Sequence, residues 1–208
     1  MQWWAGQGAA PVLARHGPAL LLARASGGTL AAMADARATP ILVDVAARLR
    51  DVRAGPPPPL MPLGRWFRAL GPAAARHGGV LTEADACARA LLADPRDVGV
   101  LHGDLHHGNV LDFGAAGWCA IDPKGLWGER GFEFAPLFRN PDAGRALAPG
   151  RLVREAARVA RLAGMGQGPL LGWIAAVAAL SAAWTLSDGG DVGADLALAR
   201  LALDARAR

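Results

Sequence analysis

The segment that most restricts the fold of this chain is LHGDLHHGNVLDFGAAGWCAIDPK, at residues 101–124. Residues 110–113 and 118–121 are two short, mainly apolar runs, and the turn between them contains two glycines. This pattern is typical of a β-hairpin. The midpoint between Asn109 and Asp122 is also the centre of the turn, so the folded hairpin is expected to set Asn109 beside Asp122.

The polar side chains of this segment are those that a phosphoryl-transfer site uses. Asp104 supplies a carboxylate that can lie beside an attacking hydroxyl. Asn109 and Asp122 supply an amide oxygen and a carboxylate, which are oxygen ligands of the kind that Mg²⁺ prefers. Phosphoryl transfer depends mainly on positioning and on neutralising phosphate charge. The segment therefore predicts a kinase-like reaction.

Two other patterns in the same segment suggest different metal sites. The tripeptide Asp-Phe-Gly at 112–114 matches the metal-binding tripeptide of protein kinases, but it lies on the first arm of the hairpin. We expect it to end a strand and open the turn. His102, His106 and His107 suggest zinc, but no Cys or further carboxylate has the spacing of a tetrahedral set. We expect His106 and His107 to line the mouth of the loop instead.

The composition favours a globular, helix-rich cytoplasmic protein. Hydrophobic residues make up 52% of the chain, and Cys87 and Cys119 show no disulfide-framework spacing. The formal charge of +4 comes from scattered Arg residues, so we expect no nucleic-acid partner. The uncharged run at 169–186 lacks a polybasic flank, so we expect a buried helix and no membrane contact.

The remaining elements are predicted from apolar spacing, prolines and glycines. The predicted strands are 12–14 and 19–23, and the predicted helices are 29–34, 40–50, 63–75, 82–93, 151–162, 169–186 and 192–207. Four prolines make residues 55–59 an extended connector. Thr82 is the expected N-cap of its helix, and Trp173 and Trp184 are expected in the core. Residues 125–140 are predicted to form a loop and a short helix.

The segment also resembles a known family. H-G-D-L-H-H-G-N followed by I-D-P resembles the catalytic core of the protein-kinase-like antibiotic phosphotransferases, and IDPKGLWGERGFEFAPLFRNP resembles the aminoglycoside/hydroxyurea branch, of the streptomycin 6-kinase kind. The resemblance implies an α+β, protein-kinase-like fold. Residues 1–25 would be a short β remnant of the N-lobe with the hinge, and residues 26–208 would be the mainly helical C-lobe.

The same resemblance assigns roles to individual residues. It implies that Asp104 is the catalytic base, that Asn109 and Asp122 are the Mg²⁺ ligands, and that His102 is a structural residue of the loop. It implies ATP as the phosphate donor, with the adenine pairing to hinge backbone at about Ala23–Ala25. Lys124 either contacts a phosphate of the nucleotide or pairs with a neighbouring acid.

The implied acceptor is a hydroxyl of a small antibiotic-like molecule, either a streptomycin-type aminoglycoside or hydroxyurea, bound by a monomer. Glu133, Asp188 and Asp191 are the candidate acidic residues for a cationic acceptor. The alternatives are that Glu133 is exposed or paired with Arg130, and that Asp191 caps the last helix.

A second functional hypothesis comes from what precedes the catalytic segment. Lys124 is the only Lys in the chain, and Glu83 is the only Glu before Asp104. Kinase-like enzymes normally hold the nucleotide phosphates with an N-lobe Lys that pairs with a helix Glu. We therefore expect much of the N-lobe to be missing. The alternative to an active enzyme is a catalytically impaired, truncated kinase-like protein that binds a nucleotide or another ligand.

Overall fold

The computed structural model of the protein describes residues 1–50 and 55–208. The strands are β1 (Val12–His16), β2 (Ala19–Leu22), β3 (Met61–Pro62), β4 (Val98–Leu101), β5 (Val110–Asp112), β6 (Trp118–Ala120) and β7 (Leu126–Glu129). The α-helices are α1 (Asp35–Arg50), α2 (Leu63–Trp66), α3 (Leu70–His77), α4 (Val80–Ala93), α5 (Pro136–Arg139), α6 (Ala143–Ala146), α7 (Arg151–Ala163), α8 (Gln167–Ser187) and α9 (Gly193–Arg206). Short 3₁₀ helices lie at Gln2–Trp4, Leu30–Ala32, Phe67–Ala69, His107–Asn109, Gly114–Ala116 and Arg130–Phe134. The expected α+β class is confirmed.

The strands of the described residues form three small sheets, and two of these sheets are hairpins. β1 pairs with β2 and β5 pairs with β6, both antiparallel. The third sheet has the order β3-β7-β4, with β7 parallel to β3 and antiparallel to β4. The prediction of a loop and a short helix at 125–140 was wrong for residues 126–129, which form β7. That strand obtains its hydrogen bonds from β4, which is distant in sequence, so local pattern did not indicate it.

α8 lies at the centre of the helical body. Every residue of α8 from position 170 to 183 is buried, and the helix packs against α4, α7 and α9. Gly172 allows this close approach, because a Cβ there would come within 3.0 Å of Cys87 and Leu91 on α4. α8 is long and apolar enough to span a membrane, but its neighbours cover it. The prediction of a buried core helix is confirmed, as is that of a buried Trp173.

Several helix boundaries differ from the predicted ones. α1 begins at Asp35, five residues before the predicted start, and includes Pro40. Its first turn is held by distant arginines that bind the Asp35 carboxylate. α4 begins at Val80 after Gly79, so Thr82 is not the N-cap. The Thr82 hydroxyl instead donates to the Ala74 carbonyl at 3.4 Å.

The chain before α1 is attached to both edges of the β5–β6 hairpin. The Ala120 amide donates to the Gly8 carbonyl at 2.8 Å, and the Ala10 amide donates to the Ala120 carbonyl at 2.9 Å. On the other edge, the Ser26 and Gly27 amides both donate to the Asp112 carbonyl at 3.0 Å. The hairpin therefore has hydrogen-bonded neighbours on each side, which fixes its position in the fold.

Candidate active site

The β5–β6 hairpin brings the two halves of the catalytic segment together. Val110 pairs with Ala120, and the Ile121 amide donates to the Asn109 carbonyl at 2.9 Å. Asn109 therefore lies opposite Ile121, one residue from the predicted partner Asp122. The shift arises because the turn is a three-residue 3₁₀ helix, Gly114–Ala116, whose centre is Ala115. The predicted hairpin is confirmed, and its register was wrong by one residue.

The Asp-Phe-Gly tripeptide at 112–114 ends β5 and opens this turn, as expected. The Asp112 carboxylate accepts a hydrogen bond from the Gly114 amide at 2.8 Å. The side chain of Asp112 is therefore used by the hairpin itself.

Asn109 is oriented by the loop that carries Asp104. Its amide nitrogen, Nδ2, donates to the Asp104 carbonyl oxygen at 2.9 Å and lies 3.5 Å from the Asp104 carboxylate. A carbonyl oxygen only accepts, so the contact requires the NH₂ group on this side. The amide oxygen of Asn109 is therefore presented to the opposite side, where it can act as a ligand.

Lys124 contacts both carboxylates of the site. Its ammonium lies 2.9 Å from Oδ2 of Asp122 and 3.4 Å from Oδ2 of Asp104. The hydrogen bond from Lys124 lowers the pKa of Asp122, and the same bond raises the pKa of Lys124. The predicted pairing of Lys124 with a neighbouring acid is therefore present, and contact with a phosphate stays a prediction.

His102 connects the chain segments that carry the two carboxylates. Its Nε2 lies 2.8 Å from the Ile121 carbonyl, and its Nδ1 accepts from the Asp104 amide at 3.3 Å. These partners require a neutral ring with the proton on Nε2. Burial lowers the pKa of His102 to about 4, which keeps the ring neutral near pH 7. The ring stacks on Trp4 at 6.4 Å.

Glu133 lies beneath the catalytic loop. Its carboxylate accepts from the His102 amide at 2.7 Å and from the Gly103 amide at 2.9 Å. The side chain is buried, and burial raises its pKa to about 7. The prediction that Glu133 binds a cationic acceptor was wrong, because both oxygens face loop backbone. The exposed and Arg130-paired alternatives were also wrong. The 3₁₀ helix Arg130–Phe134 turns this side chain inward.

The raised pKa of Glu133 predicts a pH-dependent contribution to stability. An acid with a raised pKa in the folded state stabilises fully below its unfolded pKa, and this contribution is lost as pH rises through the folded pKa. For Glu133 the window runs from pH 4.5 to about 7, and the loss is about 3 kcal/mol. The Glu133→Gln variant lacks this titration.

We therefore expect the difference in free energy of unfolding between native protein and Glu133→Gln to change by about 3 kcal/mol across that window. Above it the difference should be constant. Urea denaturation at a series of pH values measures this difference, and the titrations of His102 and His107 are common to both proteins. Parallel stability curves would contradict the assignment.

The two adjacent histidines of the loop do not both line its mouth. The His106 ring accepts from the Gly108 amide at 3.0 Å and has its Nε2 3.8 Å from the Asp104 carboxylate. His107 is completely buried, with Nε2 3.6 Å from the Asp35 carboxylate. No group of three His, Cys, Asp or Glu residues in the described ranges has the geometry of a metal site.

Two cavities meet at Lys124. The first has a volume of about 450 Å³ and a mainly apolar wall, and Asp122 and Lys124 are among its lining residues. Its other lining residues are Met1, Trp3, Trp4, Leu20, Leu22, Pro58, Leu60, Val100, Pro123 and Gly125. The second has a volume of about 220 Å³ and contains Asp104 and Lys124. Asp104 and Asp122 therefore line different cavities, and both contact the same ammonium group.

The predicted hinge residues are only partly placed for pairing with adenine. The Ala23 amide donates to the Pro11 carbonyl at 2.9 Å, as part of the β1–β2 hairpin. The Ala23 amide is therefore already engaged as a donor, and pairing of the adenine with the other backbone groups of residues 23–25 stays a prediction. Leu20 and Leu22 line the larger cavity, and the role of Ala25 stays a prediction.

The acidic pair after α8 lies on the surface. Asp188 directly follows α8, and its carboxylate lies 3.4 Å from the Ser187 hydroxyl. Asp191 is exposed, and its carboxylate accepts from the Gly193 amide at 2.9 Å, at the start of α9. The N-cap of α9 is Val192, so Asp191 is not the N-cap, although its carboxylate binds the first amide of that helix. Neither residue lines the smaller cavity, so acceptor binding by either one stays a prediction.

Sequence reasoning missed the aromatic wall of the smaller cavity. Trp66 and Trp184 line it, and their rings meet edge-to-face with centroids 5.2 Å apart. Trp184 is 39% exposed, so its predicted place in the core was wrong. It follows the uniformly buried part of α8, whose apolar sequence gave no sign that the last turn leaves the core. Arg139 also lines this cavity.

Comparison with known proteins gives a consistent set of sequence relatives. The family described as aminoglycoside/hydroxyurea antibiotic resistance kinase matches residues 1–189. The chain is 51% identical over 218 residues to streptomycin 3''-kinase of Klebsiella pneumoniae, which covers 100% of this chain and 81% of that relative. It is 39% identical over 152 residues to hydroxyurea phosphotransferase of Kitasatospora aureofaciens, and this alignment covers 66% of this chain and 44% of that relative. It is 31% identical over 216 residues to streptomycin 6-kinase of Streptomyces glaucescens (91% and 66% covered).

Solved structures show the same fold at low sequence identity. A choline/ethanolamine kinase family protein of Mesorhizobium loti aligns with a TM-score of 0.66 at 16% identity, covering 99% of this chain and 76% of that one. Aminoglycoside phosphotransferase APH(3'')-Id of Streptomyces rimosus, solved with ADP and streptomycin, aligns with a TM-score of 0.56 at 19% identity, covering 83% and 75%. The chain therefore belongs to the aminoglycoside/hydroxyurea antibiotic resistance kinase family and has a protein-kinase-like fold.

Proposed function

We propose that the protein transfers the γ-phosphoryl group of ATP to a hydroxyl of a streptomycin-type aminoglycoside, with Mg²⁺ bound at Asn109 and Asp122. The observation that carries this proposal is the arrangement around Lys124. Asp104, which lines the smaller cavity, and Asp122, which lines the larger one, lie within 3.4 Å of the same ammonium. An acceptor in the smaller cavity and a nucleotide in the larger one would meet at this point.

Asp104 is the residue we assign to the acceptor hydroxyl. Its carboxylate is about one-third exposed, and it lines the smaller cavity. There it accepts or orients the proton of the attacking hydroxyl. The His102 ring and the Glu133 carboxylate hold the backbone of this loop through the Asp104, His102 and Gly103 amides. The position of the carboxylate is thus set by buried contacts beneath the loop.

The ligands at Asn109 and Asp122 fit a magnesium ion. Mg²⁺ is commonly held by one or two protein oxygens together with phosphate oxygens. The Asn109 amide oxygen is turned away from Asp104, and the Asp122 carboxylate is 66% exposed and open to the larger cavity. When bound, the ion neutralises negative charge on the nucleotide phosphates. Lys124 places a positive charge beside Asp122 and Asp104, and its contact with a phosphate oxygen would require it to exchange or share these carboxylate partners.

The choice of acceptor rests on the sequence relatives. The relative at 51% identity is a streptomycin 3''-kinase, whereas the streptomycin 6-kinase and the hydroxyurea phosphotransferase are 31% and 39% identical. We therefore assign streptomycin as the first acceptor and the 3''-hydroxyl as the first position to test. The relatives are kinases and phosphotransferases, so the hypothesis of an impaired binding protein is not favoured.

The remaining expectations stay part of the proposal. These are the division into an N-lobe remnant at 1–25 and a C-lobe at 26–208, a monomeric state and a cytoplasmic location. The β1–β2 hairpin and the helices after Asp35 are consistent with that division. The chain spans 81% of the 3''-kinase and 66% of the 6-kinase.

A transfer assay over a panel of acceptors tests the proposed function. Purified protein with ATP and Mg²⁺ is offered streptomycin, an aminoglycoside that carries only amines, and hydroxyurea, and ADP release is measured. We expect acceptor-dependent ADP release with streptomycin, and a product phosphorylated at the 3''-position by NMR. ADP release that no acceptor stimulates would contradict the proposal.

A further inference from the structure

The smaller cavity has an unusual wall for a site that receives a cationic sugar. Trp66 and Trp184 line it, together with Val177 and Leu180 of α8. The two indoles meet at an interplanar angle of 80°, so they present surfaces in two nearly perpendicular directions. Trp184 keeps 39% of its surface exposed, because it directly follows the buried part of α8 at 170–183. Aromatic surface is thus available to a ligand beside Asp104.

The charged groups of this cavity are already neutralised. The Arg139 guanidinium binds the Asp195 carboxylate through two contacts, at 2.8 and 3.1 Å. Lys124 binds Asp122 and Asp104. Among the described lining residues, Asp104 is the only carboxylate, and the transfer reaction requires it. The cavity therefore offers a cation aromatic faces and no spare carboxylate.

Different cations bind an aromatic wall with different strengths. An ammonium group is compact and strongly hydrated, so it needs carboxylates or carbonyls to replace its water. A guanidinium is planar and more weakly hydrated, and it stacks on aromatic faces. The cation–π attraction is strongest with Trp and grows when the site excludes water. A wall of two indoles thus favours guanidinium over ammonium.

We propose that Trp66 and Trp184 are the specificity-determining residues of the acceptor site, and that they select acceptors carrying a guanidinium group over amine analogues. This inference rests on the proposed function, because it takes the smaller cavity as the acceptor site. Trp184 supplies the exposed face, and Trp66 holds the Trp184 ring by its edge-to-face contact. Asp188 follows Trp184 by one helical turn and lies at the surface.

The test compares two ligands and three variants. The ligands are streptomycin and a derivative in which its guanidino groups are converted to amines. Dissociation constants are measured by calorimetry without nucleotide, and KM and kcat are measured with ATP and Mg²⁺. Trp184→Leu removes the aromatic face but keeps an apolar side chain, and Trp184→Phe keeps a weaker face. Trp127→Leu is the matched control, because Trp127 is 41% exposed and does not line this cavity.

We expect the native protein to bind streptomycin about tenfold more tightly than the amine derivative, equivalent to about 1.4 kcal/mol. Trp184→Leu should weaken streptomycin binding about tenfold, leave the derivative nearly unchanged and leave kcat at saturation largely intact. The streptomycin affinity of Trp184→Phe should lie between those of the native protein and Trp184→Leu. The affinity of Trp127→Leu should match that of the native protein. If Trp184→Leu does not fold, the binding constants of Trp184→Phe provide the test.

Two results would overturn the inference while the proposed function stands. The first is transfer to streptomycin with no preference over the derivative. The second is an equal loss of affinity for both ligands in the Trp184 variants. Such a result would mean that the indoles pack on the sugar rather than on the guanidinium. Tight, Trp184-dependent binding of streptomycin without any transfer would contradict the proposed function and support the inference.

Discussion

The Asp104→Asn variant is expected to lose phosphoryl transfer by about 10²–10⁴-fold in kcat while keeping its fold. Asn has nearly the shape of Asp but cannot accept the hydroxyl proton. Asp104 is partly exposed, and its amide contact with His102 uses the backbone. Lys124 also binds Asp122 at 2.9 Å, and we expect this contact to remain in the variant. The measurement is kcat with saturating ATP, Mg²⁺ and streptomycin, together with the thermal midpoint.

Asp112→Asn is the matched control for this experiment. Asp112 belongs to the Asp-Phe-Gly tripeptide, and its side chain accepts from the Gly114 amide in the hairpin turn. An Asn oxygen accepts the same bond, so activity should stay close to that of the native protein. Undiminished transfer by Asp104→Asn, or a loss in Asp112→Asn as large as that expected for Asp104→Asn, would show that the catalytic carboxylate is misassigned.

The largest expected loss of stability follows from removing Asp35. Its carboxylate, at the start of α1, binds Arg145 at 2.8 Å and Arg151 at 2.8 and 3.2 Å. Burial alone raises the pKa of Asp35, but the hydrogen bonds and charges of Arg151 and Arg145 outweigh it and lower the pKa to about 2. Arg151 is almost completely buried, and it also donates to the Phe138 and Asn140 carbonyls.

Asp35→Ala leaves two guanidinium groups without their carboxylate partner, one of them in the interior. Breaking a buried pair by removing one partner typically costs about 3–5 kcal/mol, and we expect a loss of this size in urea denaturation. The control is Asp44→Ala, which removes an exposed ion pair with Arg48 at 3.0 Å and should cost less than about 1 kcal/mol. Equal losses in the two variants would contradict the structural role of Asp35.

The Asp35 cluster also supports the catalytic loop. His107 lies between Asp104 and Asn109 in sequence, and its buried ring is 3.6 Å from the Asp35 carboxylate. Burial, with the nearby charges of Arg145 and Arg151, lowers the pKa of His107 to about 4. Loss of Asp35 is therefore expected to disturb the loop as well as α1.

Local sequence predicted the parts of the fold that are made by neighbouring residues. The hairpin at 110–120 followed from apolar runs around a glycine turn, and α8 followed from its uncharged length. The register of the hairpin was wrong by one residue, because sequence alone did not show that the turn is a 3₁₀ helix. The predicted start of α1 was wrong because the first turn of this helix is held by arginines more than a hundred residues away in sequence.

The candidate site was predicted where the motif itself carries the chemistry. Asp104, Asn109 and Asp122 were chosen from residue type and spacing. In the structure Asn109 contacts Asp104, and Lys124 contacts both Asp104 and Asp122. Glu133 was misjudged because an acidic residue in a polar segment gives no sign that two backbone amides will bury it. The aromatic wall was missed because its two indoles come from helices far apart in sequence.

The central claim is that Asn109 and Asp122 hold one divalent ion beside Asp104. The most direct test is Mn²⁺ binding, followed by electron paramagnetic resonance, in the presence of a non-hydrolysable ATP analogue. We expect one site in the native protein and in Asp112→Asn, and an affinity at least about tenfold lower in Asn109→Ala and in Asp122→Asn. The claim would be contradicted if Asn109→Ala and Asp122→Asn both bound Mn²⁺ with the native affinity. It would also be contradicted if only Asp112→Asn lost Mn²⁺ affinity.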